Sequence, residues 1–223
     1  MEFLHTLEST GPEYASRQEG LALKVSSRLI IAPPNQALSA KEGQKKLFID
    51  AKGVFGDGSH PSSRLALKLL DGLLNSQYAR PCEMKGWVLD AGCGSGILAL
   101  AAAALGDLRV LAVDVDSEAI DSARQNLGRN PTPGSRVFLA HAELSCARGP
   151  FCLVLANLAT SVHVKVRKAL WRAVAPQGWL ILSGFLHIQK HAILRQYLRH
   201  GAIEKEYILD HGWAGSLLQK AEE

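Results

Sequence analysis

Three glycines in five positions form the part of this sequence best suited to hold a ligand. Gly92, Gly94 and Gly96 lie between the apolar runs VLDA and ILAL, and each glycine costs roughly 1 kcal/mol of chain entropy relative to alanine. A glycine-rich turn between a strand and a helix lets the backbone approach a ligand, and the N–H groups that open the helix favour a negative or electron-rich group. The sequence therefore predicts a binding site at this turn.

Two aspartates narrow the choice of ligand. Asp114 ends the next predicted strand, where a carboxylate can accept hydrogen bonds from both hydroxyls of a ribose. Asp90 precedes the first glycine by two residues and suits a cationic amino acid group better than a pyrophosphate. The dinucleotide fingerprint needs a small residue where this chain has Ile97. These residues favour S-adenosylmethionine, and a nicotinamide or flavin dinucleotide remains the alternative.

Apolar runs and helix signals provide the framework that must position these residues. Continuous apolar strands separated by helices are typical of a parallel sheet buried on both faces. We predict a doubly wound α/β domain whose last two strands form an antiparallel hairpin at one edge. The predicted core strands are 87–90, 109–114, 136–140, 151–157 and 179–183, and the predicted helices are 61–74, 95–105, 117–128, 162–174 and 187–200.

Length and composition are those of one large domain. With 223 residues, of which 47% are hydrophobic, the chain can bury a proper core but is too short for two comfortable domains. We predict a short N-terminal appendage and linker over residues 1–45 and the cofactor-binding domain over residues 46–223.

The charge is mildly basic, with a net charge of +4 at pH 7. No nucleic-acid-binding motif is present, but four cations recur at helical spacing between residues 165 and 172. A solvated helix face and a surface for an acidic or nucleic-acid-rich partner are the two interpretations. The four residues are Lys165, Arg167, Lys168 and Arg172.

The cysteines and the apolar runs bear on the cellular compartment. Cys82, Cys93, Cys146 and Cys152 lack the CxxC or Cys/His spacing of a metal site, which indicates a reduced, intracellular chain without zinc. The N-terminal segment has early acidic residues and no apolar core of a signal peptide. The apolar run 97–105 is far shorter than the roughly 20 residues that span a bilayer. We therefore expect a cytoplasmic protein with no membrane segment.

Several segments resemble known methyltransferases. VLDAGCGSGILALAAAALG followed by VLAVDVD resembles motif I and the ribose-binding strand of class I methyltransferases. More specifically, GVFGDGSHPSSRLALKLL (53–70) resembles the FGTGTHPTT segment of PrmA, the family of ribosomal protein L-eleven methyltransferases, and ANLA (156–159) is similar to its ANI[LA] motif. The segments 176–189 and 210–220 resemble the closing segments of that family. The resemblance covers roughly residues 28–223 and implies a Rossmann-like, mostly parallel seven-stranded sheet.

The resemblance also implies a set of site residues. Ser63, Gly92, Asp114 and Asn157 match the positions of the family's cofactor contacts, and Phe55 and Gly56 belong to the loop that covers the methionine end of the cofactor. The family's nucleophile is an amine. The side-chain carbonyl of Asn157 can accept an amine N–H and leave the nitrogen lone pair directed at the methyl group, so Asn157 is also the predicted catalytic residue.

Two departures from the family pattern bear on the substrate. Asp57 stands where the family has a threonine, and the first 27 residues are too few for the N-terminal ferredoxin-like domain with which the family grips its protein substrate. We predict His60 to be a helix cap, Asp57 to be bonded within its own loop, and Cys93 to fill a small-residue position of the glycine turn.

The residues and the resemblance to the PrmA family together predict an S-adenosylmethionine-dependent N-methyltransferase. The resemblance implies that it acts on a protein amine, either a lysine of a ribosomal protein or an amino terminus. Three alternatives stay open. One is a methyltransferase for a small-molecule amine or another protein, and another is a non-catalytic module that binds S-adenosylmethionine. The third is a dehydrogenase, which Ile97 disfavours. The oligomeric state and the number of methyl groups are not predicted.

Overall fold

The computed structural model describes residues 22–34, 36, 41–51, 53–75 and 86–222, so Cys82 and most of the predicted appendage lie outside the described residues. Ten strands and six α-helices follow one another in this part of the chain. In order they are β1 (Leu23–Lys24), β2 (Leu29–Ala32), β3 (Lys45–Phe48), α1 (Pro61–Leu74), β4 (Trp87–Ala91), α2 (Ile97–Gly106), β5 (Arg109–Asp114), α3 (Ser117–Arg129), α4 (Pro131–Gly134), β6 (Val137–His141), β7 (Phe151–Asn157), α5 (Thr160–Ala173), β8 (Val174–Leu186), α6 (Lys190–Arg199), β9 (Ala202–Asp210) and β10 (Trp213–Lys220).

Seven of these strands form the main sheet, in the order β6-β5-β4-β7-β8-β10-β9. The strands from β6 to β8 pair in parallel, whereas β10 pairs antiparallel with both β8 and β9. The predicted fold class and its C-terminal hairpin are confirmed. The chain order reverses between β4 and β7, and the crevice beyond the carboxyl ends of strands at such a point is where ligands bind in sheets of this kind.

Helices cover both faces of the sheet because the strands are apolar on both sides. On one face, α1, α2 and α3 pack on a core that includes Leu100, Val110 and Leu153. On the other face, α5 and α6 pack on a second core that includes Val154 and Leu182. Neighbouring residues of β7, Leu153 and Val154, thus point into different cores, which explains why the strand sequences do not alternate with polar residues.

The structure moves several predicted boundaries. Strand β8 runs over Val174–Leu186 rather than 179–183, because its pairing continues on both sides of a looped-out segment: Phe151 pairs with Val174, and Leu153 pairs with Trp179. The predicted turn at 176–178 is this excursion, and Gln177 there has a positive φ of 57°. Helix α6 begins at Lys190, three residues later than predicted, because residues 187–189 form a 3-10 turn.

A second, three-stranded sheet precedes the main one. Strand β1 pairs antiparallel with β2, and β2 pairs in parallel with β3. Leu29, Ile31 and Leu47 of this small sheet are buried in the core that α1 and α2 share. The pairing of β2 with β3 spans the predicted boundary at residue 45, so these strands pack as part of the same core; the division into an appendage and a domain remains a prediction.

Candidate active site

A cleft of about 1190 Å³ opens beyond the carboxyl ends of β4, β5 and β7, where the chain order of the sheet reverses. Its walls come from five segments that are far apart in the sequence: the loop after β3, the glycine turn, the ends of β5 and β6, the start of α5, and the β8 end with the final hairpin. Of the predicted site residues, Phe55, Gly56, Gly92, Gly94, Asp114 and Asn157 line it.

The glycine turn is held by the neighbouring strand and covered by two loops. The N–H groups of Gly92 and Cys93 donate to the carbonyl of Val113 at 2.9 and 3.0 Å. A Cβ on Gly92 would lie 2.4 Å from Cδ2 of Leu158, and both Gly92 and Gly94 have a positive φ. Only glycine fits here without strain, since the turn passes directly beneath neighbouring atoms.

The loop that contains Phe55 and Gly56 is fastened to this turn. The carbonyl of Phe55 accepts a hydrogen bond from Ser95 N–H at 3.1 Å, and the carbonyl of Gly56 accepts one from the Ser95 hydroxyl. A Cβ on Gly94 would lie 2.6 Å from the Phe55 carbonyl oxygen. The loop and the glycine turn therefore form one packed unit, and the half-exposed Phe55 ring lies at its outer edge.

Asp114 lines the cleft with both carboxylate oxygens fixed. Its Oδ2 accepts from Gly94 N–H at 2.9 Å, and its Oδ1 accepts from Asp116 N–H at 3.1 Å. Each carboxylate oxygen has a second lone pair. The carboxylate can thus bind a pair of hydroxyls while the protein holds it in one orientation.

Asp90 lies beneath the turn and does not line the cleft. Its side chain is fully buried, and Oδ2 accepts from Ala99 N–H in the first part of α2 at 3.0 Å. The pKa of this carboxyl is raised to about 7, mainly by burial; the Ala99 N–H opposes the shift, and the nearby charge of Asp114 adds to it. Direct contact between Asp90 and a cofactor stays a prediction; in this structure Asp90 is a buried carboxyl under the turn.

Asn157 ends β7 and offers an acceptor without a partner. Its Nδ2 donates to the Ser63 hydroxyl at 3.2 Å. Its Oδ1 is buried and has no hydrogen-bond partner among the described residues. A buried acceptor left unsatisfied costs roughly 1–3 kcal/mol, so this oxygen calls for a donor from a ligand. Ser63 is fully buried behind Asn157 and does not line the cleft, so its predicted cofactor contact remains a prediction.

His60 and Asp57 act within their own loop, as predicted. His60 caps α1 by accepting the N–H of Ser62 at Nδ1, and burial together with the Arg64 cation lowers the pKa of its ring. Asp57 Oδ1 accepts from the N–H and the hydroxyl of Ser59, at 2.8 and 2.6 Å.

Several residues of the site were not predicted from the sequence. Trp213 lines the cleft, and the centroid of its ring lies 4.5 Å from that of His60. Gln189 also lines it, and its Oε1 accepts from the Thr160 hydroxyl at 2.8 Å and from Leu186 N–H at 2.9 Å. Since these partners lie on different elements, no local sequence signal could have identified them.

A pair of buried asparagines, Asn126 on α3 and Asn130 directly after its end, was not predicted either. Asn126 bonds both backbone groups of Asp50 and also donates to the Ser95 carbonyl at the glycine turn. Asn130, one helical turn later, bonds both backbone groups of Phe48. These side chains fasten the segment before the 53–58 loop to the glycine turn.

The chemistry available in this cleft is that of binding and positioning. Within the described ranges no group of three His, Cys, Asp or Glu side chains could hold a metal ion. Burial raises the pKa of the Cys93 thiol, and the charges of Asp90 and Asp114 add to this shift, so the thiol stays protonated.

None of the described helices is long and apolar enough to cross a membrane.

Comparison with protein families gives one match over most of the chain: the family described as ribosomal protein L11 methyltransferase (PrmA) matches residues 18–221. A ribosomal protein L11 methyltransferase of Geobacter metallireducens is 34% identical over 203 residues, which cover 91% of this chain and 64% of the relative. Another from Geobacter sp. strain M21 is 37% identical and covers 74% of this chain and 53% of the relative. The chain thus spans between about half and two thirds of the length of these relatives.

Solved structures show the same fold. The crystal structure of a ribosomal protein L11 methylase from Lactobacillus delbrueckii subsp. bulgaricus superposes with a TM-score of 0.78 at 23% identity, over 90% of this chain and 99% of that one. An RNA methyltransferase from Salinibacter ruber, solved in complex with S-adenosyl-L-homocysteine, superposes with a TM-score of 0.54 at 18% identity, over 70% of this chain and 92% of the other.

Proposed function

The chain belongs to the ribosomal protein L11 methyltransferase (PrmA) family, and we propose that it transfers a methyl group from S-adenosylmethionine to an amine of a protein, with ribosomal protein L11 as the first candidate substrate. Because the chain covers less than two thirds of its relatives' length, the substrate is inferred from its family and its cleft together. A cytoplasmic location follows from this proposal, since ribosomal proteins act there.

The cleft fits the cofactor. The glycine turn borders the cleft at Gly92 and Gly94, where the absence of a side chain lets a ligand approach the backbone closely, and Asp114 presents a fixed carboxylate to the same space. Asp114 would hold the ribose, Phe55 and Gly56 would cover the methionine end, and the buried charge of Asp90 would favour the cationic part. When bound, S-adenosylmethionine supplies an activated methyl group on a sulfonium.

The unpartnered Oδ1 of Asn157 is the observation that carries the choice of an amine acceptor. An amine N–H can donate to this oxygen, which satisfies the buried carbonyl and fixes the direction of the nitrogen lone pair. With Nδ2 donating to the Ser63 hydroxyl at 3.2 Å, Oδ1 is the end of the amide that is left to accept. Such positioning of a nucleophile supplies on the order of 7–11 kcal/mol of the barrier.

The acceptor amine must also lose its proton before transfer. A lysine with a pKa near 10.4 is neutral in only about one of two to three thousand molecules at pH 7. Burial in a cleft lined by apolar side chains such as Ile97, Leu158 and Trp213 disfavours the charged ammonium and lowers this pKa. The cleft thus desolvates the amine, and Asn157 orients it.

Transfer of label from tritiated S-adenosylmethionine tests the proposal. Purified chain is incubated with isolated L11 and, separately, with intact large ribosomal subunits, and the label is resolved on a gel. Asn157→Ala should reduce turnover at least about a hundredfold, as loss of a positioning contact does, while cofactor affinity changes only a few-fold. Asn75→Ala, the same substitution at the exposed end of α1, is the matched control and should turn over like the wild type.

Calorimetry with the cofactor completes the test. Asp114→Ala removes the predicted ribose contacts, and hydrogen bonds to a charged group are worth about 1.5–3 kcal/mol each, so affinity should fall at least about tenfold. Tight cofactor binding without transfer to either form of L11 would indicate a binding module. Label found only in the small-molecule fraction would indicate that the acceptor is a small molecule and not a protein. Full turnover by Asn157→Ala would remove its assigned role.

A further inference from the structure

The two helices on one face of the sheet carry only positive charge. Helices α5 and α6 together contain seven lysines and arginines and no aspartate or glutamate. By contrast, α3 on the opposite face balances Glu118 and Asp121 against Arg124 and Arg129. Single-sign charge at this density is costly, because like charges at i and i+4 repel by a few tenths of a kcal/mol.

Four of these cations form one exposed surface, which we call the basic face: Lys168, Arg172, Arg195 and Arg199. Both helices pack on the same core cluster, α5 through Leu170 and α6 through Ile193, so their exposed sides look out from the same face of the sheet. Within each helix the two cations are four residues apart, which corresponds to about 6 Å along the axis.

The basic face is not neutralised by the protein. Among the residues that the structure describes, none of its four cations forms an ion pair, whereas Lys190 of α6 is paired with Glu204 and lies over the Tyr207 ring. The charge of the face is therefore available to a partner.

The face also continues into the cleft. Lys165 lies one turn before Lys168 on α5 and lines the cleft together with Val162 and Val166. A polyanion that lies along α5 would thus reach the edge of the acceptor site.

We propose that the basic face binds the sugar–phosphate backbone of RNA and so docks the enzyme beside its acceptor. Three of the four side chains are arginines, whose planar guanidinium groups bind phosphate in a bidentate manner, and an unbroken field of one sign suits an unbroken polyanion. An acidic protein segment would satisfy the same charges. The choice of RNA rests on the proposed function, because a ribosomal protein acceptor lies next to RNA in the ribosome.

RNA binding can be measured without methyl transfer, so failure of this inference is separable from failure of the proposed function. The probe is a fluorescein-labelled 24-nucleotide RNA without secondary structure, followed by anisotropy between 50 and 200 mM KCl. The test variant is Lys168→Gln/Arg172→Gln/Arg195→Gln/Arg199→Gln. The control removes four exposed cations elsewhere: Lys41→Gln/Lys45→Gln/Lys68→Gln/Arg109→Gln. Both variants lower the net charge from +4 by the same four units, to zero.

The wild type should bind more weakly as the salt concentration rises, because binding releases counterions from the RNA. Log Kd should rise by about 0.7 per unit of log salt concentration for each phosphate that a cation contacts. The basic-face variant should bind at least tenfold more weakly at 50 mM KCl. The slope of its log Kd against log salt concentration should be smaller by about 3, because four contacts at about 0.7 each are lost. The control should stay within twofold of the wild type. Cofactor titration and thermal unfolding confirm that both variants are folded, and the α5 and α6 pairs are also tested as separate double variants.

Three results would overturn the inference. Equal weakening in the control would reduce the effect to net charge, and failure of the wild type to bind would remove the site. Displacement of the RNA by polyglutamate at equal total charge and similar concentration would assign the face to an acidic polypeptide instead.

Discussion

Protonation of Asp90 should control the affinity for the cofactor. The carboxyl is fully buried beneath the glycine turn, and its pKa is raised to about 7, first by burial and then by the charge of Asp114. S-adenosylmethionine brings positive charge into the cleft above it. Since a nearby positive charge favours the ionised carboxylate, binding should release a proton from Asp90 at neutral pH.

The size of this effect follows from the ionised fraction. With a pKa of about 7, roughly one tenth of Asp90 is ionised at pH 6 and about nine tenths at pH 8. If only the ionised form binds, the Kd for the cofactor rises about tenfold from pH 8 to pH 6, because the apparent affinity scales with the competent fraction.

Calorimetry at several pH values, in two buffers of different ionisation enthalpy, measures both the Kd and the number of protons released. S-adenosylhomocysteine, which lacks the sulfonium charge, should show a weaker pH dependence. Asp90→Asn keeps an oxygen that can accept the Ala99 N–H and removes the charge, so its Kd should be weaker and flat from pH 6 to 8. A flat profile in the wild type, or an unchanged slope in Asp90→Asn, would refute the reasoning.

The same group affects stability without cofactor. The folded pKa of about 7 lies above the value near 3.9 of an unfolded aspartate, so the folded state holds the proton more tightly. This contribution is fully present below pH 4 and is lost as the pH rises through 7, up to about 4 kcal/mol for three pKa units. Asp90→Asn should remove this part of the pH dependence in urea unfolding.

Three further substitutions test the packing around the cleft. Gly94→Ala places a Cβ 2.6 Å from the Phe55 carbonyl oxygen at a φ of 52°, so we expect cofactor affinity and Tm to fall together; unchanged values would contradict the close packing of turn and loop. Asn126→Ala leaves buried backbone groups without partners and should lower the free energy of unfolding by about 2–4 kcal/mol, measured with urea. Gln189→Leu removes the acceptor of the Thr160 hydroxyl and should raise KM for the protein acceptor several-fold more than it lowers kcat, whereas an effect on cofactor Kd alone would assign Gln189 to the other half of the site.

Much of the fold follows from local patterns. The apolar runs identify the strands of the main sheet, most clearly at its centre, where β4 and β7 are buried on both faces, and His60 caps the helix start that it was expected to mark. The boundaries that moved depend on pairing between distant segments. Strand β8 is longer than its apolar run because its ends pair with Phe151 on one side and with Trp213 on the other, and no pattern within 174–186 carries that information.

The candidate site also has parts that the local sequence predicts and parts that depend on contacts between distant segments. The turn and Asp114 are readable in the sequence because one short segment and one strand end place them together. The environment of Asp90 is not readable, since its burial beneath the turn depends on how α2 packs over β4. The roles of Asn126 and Asn130 could not be predicted either, because the backbone groups that they bond lie more than seventy residues away in the chain.

The acceptor half of the cleft is built from residues that are far apart in the sequence. The amide of Asn157 is oriented by Ser63, 94 residues earlier, and the ring of Trp213 packs on His60 across most of the chain. The acceptor half of the cleft is therefore assembled from separate loops on a fixed sheet, where one substitution reshapes the space offered to an amine without disturbing the cofactor turn. Chains with the same glycine turn can then accept different amines, so the loops around Asn157, Gln189 and Trp213 are where differences in substrate should arise.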